Sequence, residues 1–201
     1  SSSLVEDARR RGIVVLPPSV IASEVRTMPV RHGAKDSGAH GEEDSGTRGW
    51  AVRIGLETIS GLGGAADRIV DARAAGPFVS LPEMAARSGL TSQQIQKLAS
   101  AGALTNLGVS RREGLWVADV VGKPQWHQPY LPGIEPGGEP PPLKNMTDAE
   151  AIVADYGSMG LSSSAHPMTL ARDGLTGRGV LPLAALGEQP SGKTVWIAGL
   201  V

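Results

Sequence analysis

The chain has 201 residues, a formal net charge of −1 and only 3% aromatic residues, so its core must rest on Leu, Val, Ile and Ala. A net charge of −1 creates no global basic field that would attract nucleic acid, so any contact with DNA has to be local. The absence of cysteine excludes disulfides and thiolate metal sites. No signal peptide is visible and no apolar run approaches the ~20 residues of a membrane span, so we expect a cytoplasmic protein.

The first 49 residues are predicted to contain the end of a helix, a strand and a loop. The helix is closed by Gly12, and the apolar run 13–16 predicts a short buried strand that two prolines stop. Residues 31–49 are polar, rich in Gly and mixed in charge, which is typical of a mobile loop. His32 and His40 lie there among carboxylates, but a flexible loop lacks the rigid outer shell of a metal site, so we predict no metal.

The stretch at residues 59–64, Ile-Ser-Gly-Leu-Gly-Gly, predicts a tight turn between two helices, because apolar residues precede and follow it at helical spacing. Gly61 and Gly63 permit positive φ and leave the backbone open to an approaching group. Free N–H groups at the start of the next helix, near Gly64, favour an anion such as phosphate. The stretch resembles the helix-hairpin-helix motif, which binds nucleic-acid backbones without reading bases, although Asp67 stands where the motif usually has Ala. The alternative is an ordinary helical hairpin.

Three further helices are predicted by capping boxes, in which two side chains satisfy backbone donors at a helix start. Their pairs are Ser80 with Glu83, Thr91 with Gln94, and Ser110 with Glu113. A second turn containing Gly102 follows the first by roughly 40 residues, so residues 50–122 are predicted to form a tandem hairpin entered by a strand. The predicted core consists of Leu56, Ile59, Leu62, Ile69, Val70, Leu98, Leu104 and Leu115.

A resemblance to a known family rests on motifs in a fixed order: RIGLETISGLGG, IVDAR, LASAGAL and LG-x-x-RR. They resemble the bacterial C-family DNA polymerases (DNA polymerase III α-like), and the details are closer to the error-prone, damage-inducible branch. The earlier DARRRGIVVLPPSV resembles the end of their fingers region. The later Gly160-Leu161 and Ala165-His166-Pro167 resemble the lead into their oligonucleotide-binding (OB) fold.

The resemblance implies a mainly α fold with short β elements, in which a tandem helix-hairpin-helix domain is followed by a linker, helices and the first strand of a truncated OB fold. The implied segments are 1–30 (end of fingers), 31–49 (mobile loop), 50–122 (tandem hairpin domain), 123–146 (Pro/Gly-rich linker), 147–192 (helical lead-in) and 193–201 (first OB strand).

DNA binding is predicted to run through backbone donors and a few arginines, because residues 50–122 carry seven Lys or Arg against six Asp or Glu. The predicted DNA-binding residues are Gly61, Leu62, Gly63, Gly64, Ala65, Arg68, Gly102, Arg111 and Arg112.

The linker contains a degenerate form of the sliding-clamp-binding peptide of the replicative relatives, Gln-x-x-Leu/Met-Phe. Gln128 and Leu131 match this form, but Pro132 replaces the aromatic anchor, and the loss of such an anchor weakens binding. The alternative is a plain linker.

Residues 187–194 satisfy the G-x-x-x-x-G-K-[ST] pattern of nucleotide hydrolases. That site needs a helix after the loop, whereas residues 195–201 predict a strand, so we expect no nucleotide site. His166 precedes Pro167 without an accompanying acid or nucleophile, and we expect it to be structural.

The predicted function is that of a non-catalytic, duplex-DNA-binding segment of an error-prone DNA polymerase that acts in damage tolerance and repair synthesis. The parent would be a nucleotidyltransferase whose Mg²⁺ lies in a palm domain, and no cofactor is predicted for this segment. The alternative is a protein-interaction module that docks a sliding clamp or an accessory translesion protein. DNA affinity that falls with salt would separate the two, since only phosphate binding releases counterions.

Overall fold

The computed structural model describes residues 2–31, 49–122 and 141–199, except for the side chains of residues 2–4 and 6. The chain divides into two compact units, Ser1–Ser163 and Ser164–Val201. Its secondary structure is mainly helical with a few short strands, which confirms the predicted fold class. No helix within the described ranges is long and apolar enough to cross a membrane.

The first unit opens with a helix and a small three-stranded sheet. Helix α1 (Ser2–Arg10) ends at Gly12, which has φ +73°. Strand β1 (Val14–Leu16) pairs in parallel with β3 (Trp50–Arg53), and β2 (Met28–Arg31) pairs antiparallel with β3 on its other side. Strand β2 was not predicted from the sequence. The prediction that β1 is buried is wrong at Val14, because β1 is an edge strand and that side chain is 44% exposed.

Four α-helices and two 3₁₀ turns follow the sheet within the described residues up to 122. A 3₁₀ turn (Leu56–Thr58) leads to α2 (Ala65–Ala74), α3 (Leu81–Ser88), α4 (Ser92–Ser100), a second 3₁₀ turn (Thr105–Leu107) and α5 (Arg111–Val121). The prediction of two helices around the first glycine turn is therefore wrong on one side. The segment before that turn is a single 3₁₀ turn, because Gly55 and the short distance from β3 leave no room for an α-helix.

The predicted N-caps are all present. Thr91 and Ser110 form complete capping boxes with Gln94 and Glu113. The hydroxyl and N–H groups of Ser110 hold the pKa of Glu113 below its ordinary value. Ser80 accepts from the Glu83 N–H, but the Glu83 carboxylate accepts from the N–H of the preceding residue and not from that of Ser80, so this box is incomplete.

The core of the first unit lies between the helices and the sheet. Six of the eight predicted core residues are fully buried, whereas Val70 and Leu115 are partly buried against the core. Helix α6 (Asp148–Met159) belongs to the same unit, and Met159 and Leu161 join its core. Helices α4 and α5 cross closely at Gly114, where a Cβ atom would lie 2.7 Å from the Cβ of Ala99.

The second unit contains helix α7 (Pro167–Thr176), a 3₁₀ helix (Leu183–Glu188) and two strands. Strand β4 (Val180–Leu181) pairs in parallel with β5 (Trp196–Ile197). A strand is therefore present within residues 193–201, and its assignment to an OB fold stays a prediction. His166 is the N-cap of α7, where its Nδ1 atom accepts from the Met168 N–H at 3.2 Å. A structural role for His166 stays a prediction.

Candidate nucleic-acid interface

The first turn, residues 59–64, exposes backbone donors on a rigid base. Gly61 and Gly63 have φ +82° and +54°, and both are exposed together with Gly64. Within the described part of the chain, the N–H groups of these three glycines have no acceptor. Leu62 and Ile59 are fully buried beneath them and hold the turn to the core.

Two backbone groups of the first turn have partners within the protein. The Leu62 carbonyl accepts from the Gln94 side chain at 3.3 Å and from the Ala65 N–H at 3.1 Å. The Ser60 N–H donates to the Ser158 carbonyl of α6 at 2.8 Å. Because the N–H groups of Gly61, Gly63 and Gly64 have no acceptor among the described residues and these glycines are exposed, the turn offers a patch of hydrogen-bond donors.

The free donors lie earlier in the chain than the start of the helix. The sequence analysis expected them in the first residues of α2, but the N–H groups of Ala65 and Ala66 donate to Leu62 and Gly63 at 3.1 and 3.4 Å. Ala65 is also fully buried. The remaining donors of the turn are therefore those of its glycines, with the positive end of the α2 dipole behind them.

The second turn, residues 101–104, has no such donor patch. The Gly102 N–H donates to Ala99 at 2.9 Å and the Ala103 N–H donates to Leu98 at 2.9 Å, which closes the end of α4 as a Schellman motif. The guanidinium of Arg111 lies over Gly102, where it would come within 2.9 Å of a Cβ atom. Gly102 thus lies in a turn whose N–H groups are used internally.

The three predicted DNA-binding arginines are all bound within the chain. Arg68 donates to the carbonyls of Ser88 and Gly89 at the end of α3. Arg111 donates to the Ser100 carbonyl and to Asp155 Oδ1, and Arg112 pairs with Glu150 at 2.8 Å. The Thr147 N–H and then the Arg112 guanidinium hold the pKa of Glu150 below its ordinary value.

The other arginines of residues 50–122 are engaged in the same way. Arg53, Arg73 and Arg87 all donate to backbone carbonyls, and Arg73 and Arg87 also pair with Glu24 and Glu83. Their guanidinium groups therefore stabilise loops and helix ends, which leaves fewer cationic groups for a ligand.

Lys97 is the cation that the sequence analysis did not single out. It is exposed on the last turns of α4, and its Cε atom would lie 3.6 Å from a Cβ atom on Gly61. Among the described residues, no ion pair engages its ammonium group. The donor patch and this lysine are thus adjacent. No sequence signal joins Lys97 to Gly61, since the two lie in different helical segments.

The remaining sequence candidates lie elsewhere. Gln128 and Leu131 of the degenerate clamp peptide, the histidines at 32 and 40, and most of the loop and linker fall outside the described residues. The pattern at residues 187–194 continues into β5 and not into a helix, and the Lys193 ammonium lies 3.4 Å from the Gln189 side chain. This geometry lacks the helix N-terminus on which a nucleotide phosphate site depends.

Comparison with known proteins gives one family and a consistent set of relatives. The family described as "Helix-hairpin-helix motif" matches residues 12–114, about half of the chain. The match includes the sheet, both turns and the start of α5.

Several curated relatives carry the name "Error-prone DNA polymerase". Those of Mycolicibacterium paratuberculosis and Mycobacterium tuberculosis are 38% and 39% identical over 99% of this chain, and that of Ralstonia nicotianae is 36% identical over 100%. The chain spans only 17–18% of the length of these relatives. These similarities confirm the resemblance to the error-prone branch of the C-family polymerases.

Proposed function

Because the chain belongs to the helix-hairpin-helix family, we propose that it is a duplex-DNA-binding segment of an error-prone DNA polymerase, acting in DNA damage tolerance and repair synthesis. One observation carries the proposal: the glycine N–H groups of the first turn are exposed, without acceptors among the described residues, and lie beside Lys97. In this proposal polymerisation and its Mg²⁺ belong to a palm domain in the cytoplasmic parent enzyme, and this segment holds the product duplex.

The chemistry of the turn suits a backbone phosphate. N–H groups at Gly61, Gly63 and Gly64 donate to phosphate oxygens without reading a base, so binding is expected to be insensitive to DNA sequence. The glycines have no side chain to keep the phosphate away. The ammonium of Lys97 adds a point charge to the same place.

The expected salt dependence is shallow. Arg68, Arg111 and Arg112 are held by internal partners, so few cations remain to displace counterions from DNA. We expect the logarithm of the affinity to fall against the logarithm of salt concentration with a slope of about −1 to −2.

The test is a titration of the full 201-residue chain with duplexes of two unrelated sequences at several salt concentrations. Gly63→Val should weaken binding at least tenfold, because the side chain forces the turn out of its positive φ and covers the donors. The matched control is Gly108→Val, since Gly108 also has positive φ (+81°) and open space around it but lies outside the first turn.

The two variants decide the proposal together. Equal duplex affinities for Gly63→Val and the parent would contradict it, as would equal losses in Gly63→Val and Gly108→Val. Affinity that does not change with salt would favour the protein-interaction alternative, because binding without counterion release does not involve phosphates.

A further inference from the structure

Helix α6 connects the first turn to the end of α4. The Ser158 carbonyl accepts from the Ser60 N–H at 2.8 Å, at the entrance to the first turn. Three residues earlier, Asp155 Oδ1 accepts from Arg111 at 2.6 Å, and the same guanidinium donates to the carbonyl of Ser100, the last residue of α4. Both contacts come from the C-terminal part of α6, so the end of this one helix holds both places.

Asp155 is the centre of this connection. Its side chain is fully buried, and the side chain of its partner Arg111 is only 16% exposed. The second carboxylate oxygen accepts from the Ser162 hydroxyl at 3.1 Å and from the N–H and hydroxyl of Ser163 at 2.9 and 3.2 Å. Four donors therefore fix the carboxylate in one orientation, and removal of its charge would leave Arg111 without its anionic partner.

We propose that Asp155 is a positioning residue for duplex binding. Through Arg111 it holds the end of α4, which carries Lys97, and through α6 it holds Ser60 and the first turn. The glycine donors of the first turn are thereby kept next to the side chain of Lys97, whose Cε atom would lie 3.6 Å from a Cβ atom on Gly61. This inference rests on the proposed function, but Asp155 itself, fully buried, does not touch DNA.

The expected effect of losing the Asp155 contacts is opposite in sign to the effect of losing one negative charge, so the two can be told apart. Asp155→Asn removes a negative charge, and that change alone would strengthen binding to DNA. Asp119→Asn removes the same charge at an exposed position, where the carboxylate accepts a surface bond from Gln96 and has no other partner within residues 2–31, 49–122 and 141–199, and it serves as the matched control.

The first experiment measures duplex affinity and its salt slope for the full chain and both variants, at a temperature where circular dichroism shows each to be folded. Asp155→Asn should weaken binding about 3- to 30-fold, the usual range for changes in coupling between linked elements. Its salt slope should equal that of the parent because no phosphate contact is lost. Asp119→Asn should bind as well as the parent or slightly better. Equal affinities for the two variants would overturn the inference.

The second experiment needs no DNA, so it separates this inference from the proposed function. The chain has no cysteine, so spin labels can be attached at two introduced sites, Asp67→Cys on α2 and Asn106→Cys after the second turn, both exposed. Asp155→Asn should broaden the distribution of distances between the labels, and Asp119→Asn should not. An unchanged distribution in Asp155→Asn would overturn the inference, even if the parent binds duplex. A broadened distribution in a chain that does not bind duplex would show that Asp155 holds the first turn and the end of α4 together, and would overturn the proposed function instead.

Arg111→Lys provides a second variant if Asp155→Asn does not fold. A lysine keeps a positive charge beside Asp155, but one ammonium group does not reproduce the two-armed contact with Ser100 and Asp155. The label distances should again broaden, and an unchanged distribution would count against the inference in the same way.

Discussion

The two glycine turns of the hairpin domain share a backbone conformation and differ in chemistry. Gly63 and Gly102 have φ +54° and +72°. The Gly102 N–H donates to Ala99, whereas the Gly63 N–H has no acceptor among the described residues. A positive φ therefore identifies a turn, and the partner of its N–H group decides whether that turn can bind an anion.

The difference comes from what precedes each turn. Helix α4 ends at the second turn and presents carbonyls that need donors, so Gly102 and Ala103 satisfy them. The first turn follows only the 3₁₀ turn Leu56–Thr58, whose carbonyls accept from none of the N–H groups of Gly61, Gly63 and Gly64. The same residue type thus closes a helix in one place and leaves donors open in the other.

The largest expected effect is on stability at the second turn. Gly102→Val should lower the free energy of unfolding by about 3 kcal/mol, because left-handed strain adds to a clash with the Arg111 guanidinium. That group cannot move aside without breaking its bonds to Ser100 and Asp155. At Gly63 no atom lies within 4 Å of an added Cβ. Gly63→Val should therefore lower the free energy of unfolding through left-handed strain alone, by about 1–2 kcal/mol. Urea denaturation of both variants measures the difference, and equal losses would show that the turns do not differ in this way.

A smaller effect is expected from the cation beside the first turn. Lys97→Ala should weaken duplex binding and make the salt slope shallower by about 1, as expected for the loss of one phosphate contact. Lys193→Ala changes the net charge equally in the second unit and should leave the slope as it is. Duplex titrations at several salt concentrations provide the measurement. If the two variants have the same salt slope, Lys97 does not contact phosphate.

The smallest effect concerns the exposed pair Arg112–Glu150, next to the buried pair at the second turn. The pKa of Glu150 is lowered by the Thr147 N–H and then by Arg112, so its contribution to stability is present above the ordinary glutamate pKa of about 4.3 and is lost as the pH falls below it. Glu150→Gln should therefore be slightly less stable than the parent at neutral pH and equally stable in acid. Thermal unfolding across this pH range tests the sign, and a difference that grows in acid would contradict it.

Local features of the fold were predictable because their partners are near in sequence. The N-caps at Ser80, Thr91 and Ser110 each join groups three residues apart, and the pattern of apolar residues identified most of the core. The strand β2 was missed, since its four residues, Met-Pro-Val-Arg, include a proline and show no alternation of polar and apolar side chains, and its pairing with β3 is a tertiary contact.

The sequence by itself determined that residues 59–64 form a glycine turn at the start of a helix, because backbone conformation there depends on glycine and on adjacent apolar residues. Only the tertiary structure decided which charges remain available to a ligand. Arg111 was predicted to contact phosphate, yet its carboxylate partner Asp155 lies 44 residues away, across the linker. Lys97 was passed over, yet it lies beside Gly61. Pairing between distant residues depends on how the helices pack, and neither composition nor spacing contains that information.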